Sequence, residues 1–140
     1  MTEIEKKELI KRALEMRNFS YTPYSHYNVG AALLAANGTI YTGCNIENAS
    51  FTPSNCAERT AFFKAVSEGV KEFNAIAIVG GPSDAIELEY CPPCGVCRQV
   101  MSEFCKDDFI VICAKSVDEY MEYTLPEILP ARFGPKDLLG

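Results

Sequence analysis

Residues 29–48 read VGAALLAANGTIYTGCNIEN, two apolar runs rich in strand formers on either side of Asn37-Gly38. Asn-Gly accepts positive φ at both central positions of a two-residue turn, so the stretch predicts a β-hairpin with its tip at 37–38. Upstream, Thr2 and Glu5 have the spacing of a capping box, and Leu9, Ile10, Ala13 and Leu14 share one helical face. An amphipathic helix is expected from about residue 3 to about 18, ended by the loop Tyr21-Thr22-Pro23-Tyr24.

Downstream, SNCAERTAFFKAVSEG (54–69) offers Ser54 or Asn55 as a cap, apolar residues at 57, 61, 62, 65 and 66, and Gly69 where a helix should stop. Ala75–Val79 (AIAIV) is a short apolar run suited to a strand buried on both faces. After a longer loop, 80–92, Val96, Val100 and Phe104 recur every four residues, so 94–105 reads as a second helix with Pro93 just before it. Phe109–Cys113 (FIVIC) reads as another buried strand, Tyr120–Tyr123 as an edge strand, and PEILP (126–130) as one more helical turn. Helices alternating with the middle strands predict an α/β fold: three layers, α/β/α, around a five-stranded mixed sheet. With no repeat, low-complexity tract or linker, residues 1–140 are expected to form a single domain.

At 48% hydrophobic and 23% charged, the 140 residues suffice for a real core without covalent staples. The chain begins with charge rather than an apolar signal, and no apolar run approaches the roughly 18 residues of a membrane span. A net charge of −6 with no Lys/Arg block disfavours nucleic acid. The seven cysteines are an odd number, so the reading is a cytoplasmic protein with reduced thiols and no membrane partner.

What those thiols do turns on CPPCGVC, residues 91–97. Both expected helices follow one strand and precede another, so right-handed crossovers bring their starts to the same end of the sheet. Cys56 opens one helix; Cys94 and Cys97, three apart, share a face of the first turn of the other. Helix N-termini favour thiolate, and three converging thiolates leave one tetrahedral position free, the layout of a catalytic zinc rather than a closed structural one. Three alternatives stand beside it. An iron–sulfur run needs a cysteine at position 101, which is Met. A closed site would recruit Cys91, although Pro92-Pro93 turns it away from the helix face. A redox Cys-x-x-Cys would leave Cys56 and Glu58 without a role. Glu58 taken alone reads as the N3 residue of a capping box with Asn55. Two residues from a metal ligand, it is also placed to move protons for a zinc hydrolase.

Cys56-Ala57-Glu58 followed by Pro93-Cys94-Gly95-Val96-Cys97 resembles the signature of the zinc-dependent nucleoside and nucleobase deaminases, whose chemistry is known in general form. More narrowly the chain is similar to the small homotetrameric cytidine deaminases. That likeness runs through Tyr24-Ser25, Tyr27, 29–33, 43–49, 55–61 and Cys97-Arg98-Gln99. The resemblance implies one Zn²⁺ per subunit on Cys56, Cys94 and Cys97, with Glu58 as the proton shuttle. It implies a substrate site built from Tyr27, Asn45, Glu47 and Ala57, the polar pair holding the ribose. It further implies that Phe133 stacks on the base in a neighbouring subunit's site. The activity implied is hydrolytic deamination of cytidine and 2′-deoxycytidine at C4 to uridine and 2′-deoxyuridine, with release of ammonia, in pyrimidine salvage. Arg59 is expected to offset the −1 total of three thiolates on Zn²⁺.

The sequence departs from that family's usual pattern at Pro92, Val96 and Phe51, which bears on substrate affinity rather than on the reaction. Its only histidine, His26, has no ligand partner at helical spacing and is expected to be exposed or structural. Glu47 beside the sugar would repel a 5′-phosphate, favouring a free nucleoside. The other readings are a deaminase of a cytosine nucleoside antibiotic such as blasticidin S, a non-catalytic structural-zinc module and a thiol oxidoreductase.

Overall fold

The computed structural model describes residues 1–140. The capping box forms: Glu5 N–H donates to Thr2 Oγ1 at 3.1 Å and Thr2 N–H to Glu5 Oε1 at 2.9 Å, opening α1, Glu3–Met16. One 3-10 turn, Arg17–Phe19, carries the chain on from it. β1, Tyr27–Ala35, pairs antiparallel with β2, Ile40–Cys44, with Gly30 opposite Cys44 and Leu34 opposite Ile40.

The hairpin tip differs from expectation. Of Asn37-Gly38 only Gly38 takes positive φ, at 91°. Gly38 N–H donates to Ala35 O at 3.0 Å and Ala35 N–H to Thr39 O at 2.9 Å, which makes a three-residue loop closed by a left-handed glycine. Asn37 contributes through its side chain instead, Oδ1 accepting from Thr39 N–H at 3.0 Å.

α2, Ala57–Ser67, leads to β3, Phe73–Pro82; α3, Gly95–Phe104, leads to β4, Ile110–Ala114, and β5, Tyr120–Thr124, forms the edge. Two short helices close the chain: α4, Leu125–Ile128, in the expected PEILP region, and α5, Pro135–Leu139, which the sequence reading missed. The five strands lie in the order β2-β1-β3-β4-β5. β1 is antiparallel to both neighbours and β3 is parallel to β4, so β2, β3 and β4 all run the same way. The crossovers through α2 and α3 therefore begin at one end of the sheet, as the sequence order predicts.

Strand alternation divides the core. Leu33, Ile76, Ile78 and Val111 face Phe62 of α2 and Met101 of α3, while Ala32, Ala75, Ala77 and Val79 face Leu9, Ile10 and Ala13 of α1. The result is the three-layer arrangement. No helix is long and apolar enough to cross a membrane.

Gly43 sets how closely α2 approaches. A Cβ there would lie 2.3 Å from Ala57 O and 2.7 Å from Ala61 N, so the first turn of α2 rests directly on β2. Both clashing atoms are backbone and cannot rotate away. Gly43→Ala is expected to destabilise the chain by about 1–3 kcal/mol, read as a lower denaturant midpoint with an unchanged slope. An unchanged midpoint would show that the helix shifts without cost.

Candidate active site

The three cysteines of the expected metal centre converge. Their Sγ atoms all lie within 4.8 Å of one another, with Cys56 to Cys94 at 3.7 Å and Cys94 to Cys97 at 3.4 Å. A tetrahedral zinc with Zn–S bonds of about 2.3 Å requires sulfurs about 3.8 Å apart, so the cluster fits the ion, and soft thiolates suit it. Cys97 is buried, Cys56 half-buried and Cys94 exposed, which opens the cluster to solvent on one side.

Helix geometry explains the convergence. Cys56 is the N-cap of α2 and Cys94 the N-cap of α3, both in extended conformation and neither capping with its side chain. Positions that usually carry Ser, Thr, Asp or Asn thus carry sulfur, and both helix dipoles point their positive ends at the cluster. This corrects the expected cap at Ser54 or Asn55. Asn55 is held extended by a reciprocal backbone pair with Ile46, Ile46 N–H to Asn55 O at 3.0 Å and Asn55 N–H to Ile46 O at 2.8 Å. The helix consequently starts one residue later.

With Cys56 as the cap, Glu58 is the second helical residue and makes no capping box. Its side chain is 4% exposed, within the cleft rather than on the helix surface. Burial pushes its carboxyl up to about 7; its own backbone N–H opposes the rise and the Cys56 thiolate adds to it. The neighbouring Cys97 thiol, then Arg59 and Cys94, hold the Cys56 thiol well below its ordinary range, while the Cys97 thiol is raised beside the Cys56 thiolate. Arg59 Nη2 donates to Cys56 Sγ at 3.4 Å, and Arg59 Nε is buried with no partner.

The cluster opens into a cleft of about 580 Å³, whose walls include Asn45, Glu47, Ala57, Glu58 and Arg59 together with Cys56 and Cys94. Asn45 is already engaged: Oδ1 accepts from Val29 N–H at 2.9 Å and Nδ2 donates to Tyr27 O at 2.8 Å. One N–H and one lone pair of its amide are left for a ligand. The three departures, Phe51, Pro92 and Val96, also line the cleft, and Phe51 takes positive φ, 60°. Cys91 lines it without joining the three-sulfur cluster; its thiol lies against Gly80, where a Cβ would come within 2.8 Å of Sγ.

Of two further expected substrate residues, Phe133 stands outside the cleft of its own chain, and Tyr27 borders it, with its backbone O bonded to Asn45 and its side chain beside Cys91, both of which line the cleft. Tyr27, at the start of β1, is 38% exposed beside Cys91, and Phe133 is 58% exposed. The backbone of Phe133 is fixed, its O accepting from Gln99 Nε2 at 2.8 Å and Ser102 Oγ at 2.9 Å. His26 is exposed with φ 56° in a loop, its N–H bonded to Thr22 O and its O to Ser83 N–H. What the sequence reading missed is the support of Glu47. Its Oε1 accepts from the N–H groups of Tyr24 and Ser25, both at 3.1 Å, and its Oε2 from the Ser25 hydroxyl. The only local signal was a Tyr-Ser pair after a proline.

The model of the cytidine and deoxycytidylate deaminase zinc-binding region matches residues 3–113. A cytidine deaminase of Sporosarcina psychrophila is 46% identical over 132 residues, 94% of this chain and 93% of its own. One from Halalkalibacterium halodurans is 44% identical over 135 residues, 96% of this chain and 98% of its own. The crystal structure of cytidine deaminase from Burkholderia pseudomallei superposes with a TM-score of 0.82 at 40% identity, over 95% of this chain and 100% of that one.

Proposed function

The chain belongs to the zinc-dependent cytidine and deoxycytidylate deaminase family, and on that premise we propose that it hydrolyses cytidine and 2′-deoxycytidine to uridine and 2′-deoxyuridine, releasing ammonia. The observation that carries the reading is the convergence of the Cys56, Cys94 and Cys97 sulfurs on one open point, with the buried carboxyl of Glu58 in the same cleft.

Zinc on these thiolates supplies the Lewis acidity that makes water a nucleophile near neutral pH. With the metal held by Cys56, Cys94 and Cys97, Glu58 would accept one proton of the attacking water and deliver it to N3 of the base as the water oxygen bonds to C4. It would then carry the remaining proton of that oxygen to the amino group, so that the C4–N bond breaks, ammonia leaves and the oxygen stays as the C4 carbonyl. The burial of Glu58 excludes competing bulk water from the transfer. Asn45 and Glu47 hold the sugar, and the Glu47 carboxylate disfavours a 5′-phosphate. Ala57 packs beside the base, as do Tyr27 and, from a neighbouring subunit of a homotetramer, Phe133. The setting is cytoplasmic salvage of free pyrimidine nucleosides.

Arg59 offsets thiolate charge through its donation to Cys56 Sγ. Arg59→Gln is expected to lower zinc affinity or kcat about 10–100-fold, the usual cost of losing a partner of a metal ligand. Zinc content and turnover equal to wild type at every pH would remove Arg59 from the account.

The activity is tested by incubating the zinc-loaded protein with cytidine, 2′-deoxycytidine, cytidine 5′-monophosphate and blasticidin S and measuring ammonia. Equimolar ammonia and uridine (or deoxyuridine) from the two nucleosides, with little from the others, is the expected result. Faster turnover of the nucleotide or the antibiotic would overturn the nucleoside reading.

A further inference from the structure

A glutamate in an open cleft wall is ordinarily free to turn among rotamers, and ordering it on ligand binding costs affinity. Glu47 is not free. Three donors already hold its carboxylate: the N–H groups of Tyr24 and Ser25 on Oε1, and the Ser25 hydroxyl on Oε2. An ionised carboxylate has about four acceptor sites, so this arrangement leaves one for a ligand. The same Ser25 Oγ accepts from Tyr27 N–H at 3.1 Å, tying the carboxylate to the first residue of β1.

The loop that presents these donors is itself fixed. His26 N–H donates to Thr22 O at 3.0 Å and Ser83 N–H donates to His26 O at 2.7 Å, with His26 held at φ 56°. Left-handed backbone at a non-glycine residue costs on the order of 1–3 kcal/mol and persists where surrounding structure enforces it, often at functional sites. The Ser25 hydroxyl, then its N–H and that of Tyr24, also holds the Glu47 carboxyl below the usual carboxylate range.

We propose that Ser25 is a positioning residue for sugar recognition: its hydroxyl locks the Glu47 carboxylate in the orientation that accepts one hydroxyl of the nucleoside sugar. Ser25 acts through Glu47 and does not touch substrate; the inference rests on the reading of Glu47 as a sugar ligand. Glu47 bears on a single hydroxyl, so the effect of Ser25 must appear only with substrates that carry that hydroxyl.

The test compares kcat/KM for cytidine with that for 2′,3′-dideoxycytidine on zinc-loaded wild type, Ser25→Ala, Ser25→Thr, Glu47→Gln and the Ser25→Ala/Glu47→Gln double variant. Both substrates are read on the same protein, so a reduced folded or zinc-loaded fraction does not move their ratio. Ser25→Ala is expected to lower the ratio about tenfold, through the KM of cytidine, as befits one hydrogen bond to a charged group. Ser25→Thr, which keeps the hydroxyl, retains the ratio, and the double variant is no worse than Glu47→Gln alone. A ratio unchanged by Ser25→Ala but collapsed by Glu47→Gln overturns the role of Ser25 and leaves Glu47 as a sugar ligand. A ratio unchanged by Glu47→Gln overturns both.

Discussion

Glu58→Gln is expected to lower kcat on cytidine by about 10²–10⁴-fold with zinc still bound, the usual worth of general acid–base catalysis. Glutamine keeps the volume and can still hydrogen bond, but it takes up no proton. No other group in the cleft can replace it: the only other carboxylate lining the walls is Glu47, engaged by Ser25 and Tyr24, and the only histidine is in the exposed 22–26 loop. The loss falls on kcat more than on KM, because the interaction removed belongs to the transition state. Steady-state kinetics beside zinc analysis of both proteins check this. Turnover within a few-fold of wild type would show that protons travel by another route.

Cys97→Ala is expected to abolish turnover by a different path, loss of stoichiometric zinc. Cys97 is 1% exposed and sits under the cluster, 3.4 Å from Cys94 Sγ, so its removal leaves two sulfurs and no donor of equal reach. Zinc binds the folded chain through these ligands, so the variant also loses the stabilisation that binding gives the native state. Cys91→Ala is the matched control. Cys91 stands outside the three-sulfur cluster, and its replacement should leave one zinc per chain. Metal analysis after dialysis reads both; full zinc in Cys97→Ala, or its loss in Cys91→Ala, would reassign the ligands.

Periodicity and caps made most of the fold legible. Thr2 and Glu5 announce α1 because both partners of the box lie within four residues, and AIAIV and FIVIC announce buried strands because their burial follows from composition alone. The errors arose where distant contacts overrode local preference. Asn55 is a good cap by type, yet pairing with Ile46 draws its backbone into an extended bridge and passes the cap to Cys56. Asn37-Gly38 favours a two-residue turn, but with Leu34 paired to Ile40 the strand ends leave a three-residue loop.

The site followed the same division. Cys56, Cys94 and Cys97 were readable because helix starts after parallel strands share one end of a sheet. The clamp on Glu47 was not, since Ser25 lies 22 residues away and meets it only after β1 and β2 have paired. Glu58 shows both sides of the matter. Taken alone, its spacing from Asn55 suggested a capping box, while its place two residues after Cys56 already read as that of a proton carrier; with Cys56 as the cap there is no box, and Glu58 lines the cleft.

The central claim is that three thiolates hold a zinc with its fourth position open beside Glu58. X-ray absorption at the zinc edge tests it most directly on the purified protein. Three sulfurs at about 2.3 Å and one oxygen or nitrogen at about 2.0–2.2 Å is the predicted coordination. Four sulfurs, with Cys91 as the fourth, would contradict it.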